Sequence, residues 1–147
     1  MRYLIERYCT PTFYLYQVIY IGGSVQVASL LDRNRTEHFF GPEKDVICVL
    51  DGDQAKQPHA GGNNILCIPL DSVEKALYAA FKAGDIPCAT DLNSRTFHPN
   101  GKELFNELLR IGVFTRRQVF EFLCSRHENE LSAFAGKLSG FLGGKVT

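Results

Sequence analysis

The run Val46-Ile47-Cys48-Val49-Leu50, closed by Asp51-Gly52-Asp53, limits what the rest of the chain can build around it. Five consecutive apolar residues, β-branched types among them, read as a buried strand. Such strands belong to parallel sheets covered on both faces. Open α/β sheets build their sites at the carboxyl ends of their strands, and this strand ends in two carboxylates. Asp51 and Asp53 are two apart, so they lie on one side of an extended chain. Gly52 lets the backbone turn or a ligand approach. Carboxylates this close repel unless a cation or a proton lies between them. Two readings stay open at this point. One is a Mg²⁺ or Mn²⁺ site, since hard cations take oxygen ligands. The other is a plain strand-end turn, since Asp-Gly is a common turn dipeptide.

The flanking sequence alternates between apolar runs and amphipathic stretches. Residues 1–16 are aromatic-rich and broken by Pro11, which predicts a short helix or strand and then an irregular entry. Residues 17–21, Gln-Val-Ile-Tyr-Ile, are expected as a first strand. Gly22-Gly23-Ser24 reads as a tight β-to-α turn with Ser24 a candidate cap. A helix over 25–34 follows, with Val27, Leu30 and Leu31 on one face. A loop over 35–45 precedes the Asp-Gly-Asp strand at 46–50. Loop chemistry fills 54–64, and a third strand over 65–68 is closed by Pro69. Asp71-Ser72 caps a helix running to about Lys82, with Ala76, Leu77, Ala80 and Phe81 as its stripe and Gly84 as its stop. Residues 85–100 look irregular. Helices are expected over 102–110, from Thr115 onward with Val119, Phe120 and Leu123 inside, and over 128–141 before Gly143-Gly144. The order predicts an α/β fold in one domain spanning 1–147. Its three-layer core, about 17–85, holds a mainly parallel sheet, and a helical extension covers about 101–142.

Charge and cysteine usage exclude several classes. Sixteen basic and sixteen acidic residues cancel, so nucleic-acid contact must come from a local patch or through metal ions. The five cysteines are odd in number and form no C-x-x-C pair. Cys48 and Cys67 lie inside apolar runs, where a free thiol acts as a small hydrophobe. Structural zinc and a disulfide framework are therefore not expected, and a reducing cytoplasm is. The charged start is no signal peptide, and no apolar stretch approaches the length of a membrane span. His38, His59, His98 and His127 have no metal-ligand spacing and read as surface residues. Gly136-Lys137-Leu138-Ser139 lacks the earlier glycine and the Ser or Thr directly after Lys that a phosphate-binding loop needs.

Asp51, Asp53 and Glu74 are expected to converge at the carboxyl ends of the strands, where oxygen ligands from several loops suit octahedral Mg²⁺ or Mn²⁺. A helix N-terminus alone also accounts for Glu74. Lys102 opens a helix, an unfavourable end for a cation, and faces either a phosphate or solvent. Arg110, Arg116 and Arg117 form either a basic corner or a solvated face.

Taken in order, these segments resemble a Toprim domain, in particular that of the OLD (overcoming lysogenization defect) family of ATPase-nucleases. In Toprim proteins one strand ends in Glu-Gly before a helix, a later strand ends in Asp-x-Asp, and these acids bind Mg²⁺. The segment from Tyr20 to Gln26 resembles the first motif, and Val49 to Asp53 the second. The stretch from Ile68 to Lys75 is similar to the OLD-type segment that supplies a further acidic ligand. Asn100-Gly101-Lys102 resembles the place of a functional lysine. The likeness runs from about residue 17 to residue 110, and the trailing helices fit the family's C-terminal extension. It implies a Rossmann-like core with Mg²⁺ or Mn²⁺ held by Asp51, Asp53 and Glu74. It implies catalytic roles for Asp51, Asp53 and Lys102, DNA contacts from Lys102, Arg116 and Arg117, and metal-assisted phosphodiester hydrolysis.

The departures shape the expectation. Gly22 stands where the family has its glutamate, and Gln26 where OLD-type domains carry a second acid. Proton transfer by such a carboxylate contributes about 10²–10⁴-fold, so the implied endonuclease is weak or inactive unless another acid, Glu6 or Glu37, replaces it. The family's ATPase lies outside this chain, so an ATPase or another protein is an expected partner. The alternative is a non-catalytic protein- or nucleic-acid-binding module that docks through its aromatic N-terminal segment and C-terminal helices. Phosphatases of the haloacid dehalogenase type also end a strand in Asp-x-Asp. Here, however, Asp51 follows a full β-α unit, and Ala55 stands where Thr or Val is usual.

Overall fold

A computed structural model describes residues 1–9, 16–87 and 90–143. The irregular entry expected around Pro11, as well as Cys88 and Gly144, lies outside the described residues. The elements run α1 Arg2–Tyr8, α2 Ser24–Glu37, β1 Cys48–Leu50, β2 Ile65–Cys67, α3 Val73–Lys82, α4 Lys102–Arg110, α5 Arg116–Arg126 and α6 Glu128–Phe141. Among the described residues the architecture is α/β, with six helices and one two-stranded parallel sheet. Cys48 pairs opposite Ile65 and Leu50 opposite Cys67, so the two apolar runs are parallel neighbours as their composition predicts. Residues 51–64 carry the chain back to the start of β2 through short 3-10 turns at Gly52–Gln54 and Pro58–Gly61. Parallel strands need a long crossover, and this one contains no α-helix.

The expected first strand does not form. Residues 17–21 take no regular structure, and Ile19 and Tyr20 are 50% and 93% exposed. Strand propensity expresses packing on a half-buried pleated surface, and this run has no such face. The expected three-stranded sheet is therefore a pair.

The chain divides into two compact units, Met1–Pro69 with Asn129–Thr147, and Leu70–Glu128. In the first, α2 packs on β1 and buries Ala28, Leu31 and Asn34. The helix continues to Glu37, past the expected stop at Asn34, because that residue is used inside the fold. Asn34 is fully buried. Its Nδ2 donates to the Gly41 carbonyl at 3.0 Å, and its Oδ1 accepts the Phe40 N–H at 2.7 Å. His38, in the left-handed region at φ +52°, ends the helix. Cys9, just after α1, donates its thiol to the Ala135 carbonyl of α6 at 3.7 Å. Leu131, Phe134, Ala135 and Leu138 form the buried stripe of α6.

The second unit has its own apolar core. Leu77 and Ala80 of α3 meet Leu104 and Leu108 of α4 and Val119 and Leu123 of α5, with Ile86, Leu92, Phe97 and Phe114 added from the connections. Each helix start is locally determined. Ser72 accepts the Lys75 N–H at 3.1 Å. Thr115 and Gln118 close a reciprocal capping box, with bonds of 3.3 and 2.8 Å.

Glu107 fastens the irregular segment before α4 to that helix. It accepts from Arg110 at 2.6 Å and from Arg95 at 2.8 Å, while the Arg95 guanidinium lies 4.9 Å from the centre of the Phe97 ring. Hydrogen bonds from Arg110, then Arg95, pull the Glu107 carboxyl from its ordinary 4.5 down to about 2. A depressed carboxylate stabilises the fold above its unfolded pKa, and that contribution fades as pH falls toward the folded value. Glu107→Gln is therefore expected to be less stable than wild type at neutral pH. Denaturation midpoints of the two proteins should converge between about pH 4.5 and pH 2. A stability gap that stays constant through this window would show that the carboxylate charge is not what the arginines hold.

Candidate functional site

Asp51 follows β1 directly, but Asp53 lies inside a 3-10 turn, so the pair does not share one side of an extended chain as its spacing predicts. Asp51 is the first residue past the strand, extended at φ −65° and ψ 152°, and it caps the 3-10 turn Gly52–Gln54. Asp51 and Asp53 are both solvent-exposed, with half-buried Gly52 between them. The Gln54 N–H closes the turn on the Asp51 carbonyl at 3.0 Å. Asp51 also acts on the Met1 amino group, whose pKa burial lowers and the nearby carboxylate partly restores.

The turn aims the Gln54 side chain at two partners. Its Nε2 donates to Asp53 Oδ1 at 2.9 Å, and its Oε1 accepts from Ser24 Oγ at 2.8 Å. Ser24 is the first residue of α2, and its hydroxyl makes no cap bond; Gly23 holds the cap position. The expected cap is thus replaced by a link across 30 positions of sequence. This link joins the Gly22-Gly23-Ser24 turn to the Asp-Gly-Asp loop. Gly22 adopts φ +110°, and a Cβ built there meets nothing within 4 Å. Space exists for a side chain at this position, but the backbone is one that L residues rarely adopt.

Glu74 and Lys102 lie in the second unit, where their segments touch. Glu74 is half-buried in the first turn of α3, and Lys102 is the exposed first residue of α4. Gly101 lies between α4 and the backbone of α3. A Cβ added to it would fall 2.0 Å from the Glu74 carbonyl oxygen and 2.5 Å from its carbon. Gly101 is also left-handed, at φ +74°. The Asn100 side chain accepts the Lys102 N–H at 3.1 Å, a cap on α4 that sequence reasoning missed.

The described residues contain no group of three or more His, Cys, Asp or Glu placed to hold a metal. Of the expected ligand set, Asp51 and Asp53 belong to the first unit and Glu74 to the second. α3 buries Leu77 and Ala80 in the core of the second unit. The donor chemistry of the aspartate pair still fits a hard cation. Mg²⁺ keeps several waters and is commonly held by one or two carboxylates.

The basic corner is largely neutralised. Arg110 pairs with Glu107 at 2.6 Å and Arg117 with Glu121 at 3.2 Å, while the Arg116 guanidinium lies 5.9 Å from the centre of the Phe105 ring. Of the candidate replacement acids, Glu37 is paired with Arg33 at 3.0 Å at the far end of α2, and Glu6 is exposed on α1. His59 departs from the expected surface role. It is half-buried, and its Nε2 is enclosed without a hydrogen-bond partner among the described residues. Burial raises the thiol pKa of Cys9, Cys48 and Cys67, which keeps them protonated and weak as nucleophiles.

The first unit also exposes apolar surface. Tyr20 is 93% exposed, and Val25, Ile19, Phe39 and Phe40 are between 40% and 63%. Ile21, Val25, Gln26, Ser29, Leu30 and Arg33 line an open groove of about 440 Å³. No helix among the described residues is long and apolar enough to cross a membrane. Comparison with known proteins leaves the reading with the chain's own geometry: no family model, curated protein or solved structure matches it.

Proposed function

We propose that the chain is a Toprim-like domain related to the OLD-type nucleases, reduced from their three-layer Rossmann-like core and acting in the cytoplasm on DNA. One observation carries this reading. Two carboxylates leave the end of a parallel strand in a turn that is hydrogen-bonded, through Gln54, to the Gly22-Gly23-Ser24 turn. The resemblance assigns the two Toprim motifs to these two turns. A bound Mg²⁺ or Mn²⁺ would supply charge neutralisation at phosphate and a water of lowered pKa. Asp51 and Asp53 would hold that ion, and Lys102, Arg116 and Arg117 would neutralise the nucleic-acid backbone. Glu74 is the third ligand that the resemblance suggests. With Gly22 in place of the family's acid, the chain has no carboxylate there to move a proton, so hydrolysis is weak or absent. An ATPase supplied in trans is the partner this relationship suggests.

Mn²⁺ titration by calorimetry tests the reading. Wild type should bind weakly, and Asp51→Asn with Asp53→Asn should abolish binding. Equal binding by the two proteins would remove the aspartate pair as the ligand set. Gly22→Glu should tighten Mn²⁺ binding while lowering stability by about 1–3 kcal/mol, the strain of a side chain at φ +110°. In plasmid nicking with Mg²⁺ or Mn²⁺, wild type should show little cleavage. Robust cleavage lost in Asp51→Ala would overturn the view that the domain is degenerate.

The exposed apolar surface favours a second reading, a non-catalytic binding module derived from the same fold. Patches of this kind mark interaction sites. Under it, Tyr20→Ser with Val25→Ser should abolish partner capture and leave Mn²⁺ binding unchanged. Loss of both together would tie the patch to the metal site instead.

A further inference from the structure

The stretch from Tyr8 to Leu31 contains no Asp, Glu, Lys, Arg or His, in a chain of which 22% is charged. The three most exposed large apolar side chains among the described residues, Tyr20, Val25 and Ile19, all fall inside it. Tyr20, 93% exposed, directly precedes Ile21, which with Val25 and Leu30 walls an open groove of about 440 Å³. A knob and a hole therefore share one apolar surface of the first unit. Arg33 also lines the groove, but Glu37 neutralises it at 3.0 Å. The surface thus offers little with which to grip a nucleic-acid backbone or an anionic lipid headgroup. What it fits is another uncharged protein face.

We infer that the occupant of this surface is the same surface of a second copy of the chain, with Tyr20 of each copy seated in the groove of the other. The inference rests on the binding-module reading and names the partner of that module. Closed two-fold dimers pair one patch with itself, so the patch must be its own complement. A two-fold axis passing between Tyr20 and the groove lays each ring over the opposite groove. One symmetry operation then makes two identical contacts. Tyrosine is enriched among the few side chains that carry most of the energy of such interfaces. Charge does not oppose the approach of a copy. The chain's sixteen basic and sixteen acidic residues cancel, and a net charge near zero promotes association.

Sedimentation equilibrium from micromolar to millimolar protein is the test. Wild type should show a monomer–dimer equilibrium with no larger species. Tyr20→Ala removes the knob. Val25→Asp places a charge in the hole, at the second residue of α2, where a helix start favours an acid. Each change should weaken dimerisation by about 30-fold or more, the effect of losing a central anchor. An equimolar mixture of the two variants should dimerise better than either alone. In it the Val25→Asp copy still supplies a ring, and the Tyr20→Ala copy still supplies a groove. Ile111→Ser removes an exposed apolar side chain of the second unit and should change nothing. Far-UV circular dichroism checks that each variant is folded. A wild type that stays monomeric, a mixture no better than its components, or equal weakening by Ile111→Ser would each overturn the inference. The binding-module reading is judged separately by fluorescence of the apolar dye bis-ANS. A monomeric wild type that binds the dye, with binding lost in Tyr20→Ala, would overturn the second copy alone and leave the surface to a different protein. A monomeric wild type that binds no dye would end both.

Discussion

Gly101→Ala is expected to destabilise the Leu70–Glu128 unit by about 3–5 kcal/mol, the largest single-residue effect on the fold. Two costs add. At φ +74° any L side chain is strained, worth about 1–3 kcal/mol. The new methyl would also enter the backbone of Glu74, 2.0 Å from its oxygen and 2.5 Å from its carbon. Backbone cannot move aside as a flexible side chain does, and overpacking of this kind costs about 1–3 kcal/mol more. Gly84 provides the control within the same unit. It has nearly the same φ, +76°, with nothing within 4 Å of an added Cβ. Gly84→Ala should therefore show the conformational cost alone, about 1–3 kcal/mol. Urea denaturation followed by circular dichroism gives both values. Equal losses at the two positions would mean that α3 and α4 are free to separate at Gly101, and the described contact between the Glu74 and Lys102 segments would be wrong.

Asn34→Ala is expected to cost about 2–4 kcal/mol in the first unit. Asn34 is fully buried, and its amide serves the Phe40 N–H and the Gly41 carbonyl together. Truncation strands both backbone groups, each worth about 1–3 kcal/mol when it stays dry. Asn34→Asp keeps an acceptor for Phe40 but turns an oxygen toward the Gly41 carbonyl. Protonation restores a donor, so the defect in Asn34→Asp should shrink as pH falls. By contrast, the exposed Arg33–Glu37 pair one turn away is worth only about 0.3–0.5 kcal/mol. Denaturant midpoints for Asn34→Ala and Glu37→Ala should differ accordingly. A loss below about 0.5 kcal/mol for Asn34→Ala would show that residues 38–41 take up water readily and that this buried amide does not order them.

What could be read from sequence follows the range of the interactions. The helices at Lys102–Arg110 and Glu128–Phe141 end where their local pattern ends, and Ser72 and Thr115 cap α3 and α5 as their side chains dictate. The apolar runs before Asp51 and Pro69 pair because both consist of residues that bury well on a pleated surface. Residues 17–21 have the same composition and form no strand, because strand formation depends on neighbours that sequence spacing does not supply. Asn34 read as a helix end because asparagine is a weak helix former, yet distant backbone groups claim its side chain. The Asp51-Asp53 pair was visible as a two-residue spacing. The Ser24–Gln54 link was not, since nothing local in either residue announces a partner 30 positions away.

Because the Leu70–Glu128 unit is an uninterrupted stretch set between the two pieces of the other, the two cannot finish in the order in which they are translated. The inserted unit has all ten of its core residues once its own stretch has emerged, and mostly local contacts favour fast folding. The flanking unit must wait. The thiol of Cys9 meets the Ala135 carbonyl across 126 positions, so that contact forms only after Ala135 has left the ribosome. At about 5–20 residues per second, Cys9 waits several seconds for that partner. A released fragment ending at Glu128 should therefore present a protease-resistant 70–128 stretch behind a protease-sensitive beginning.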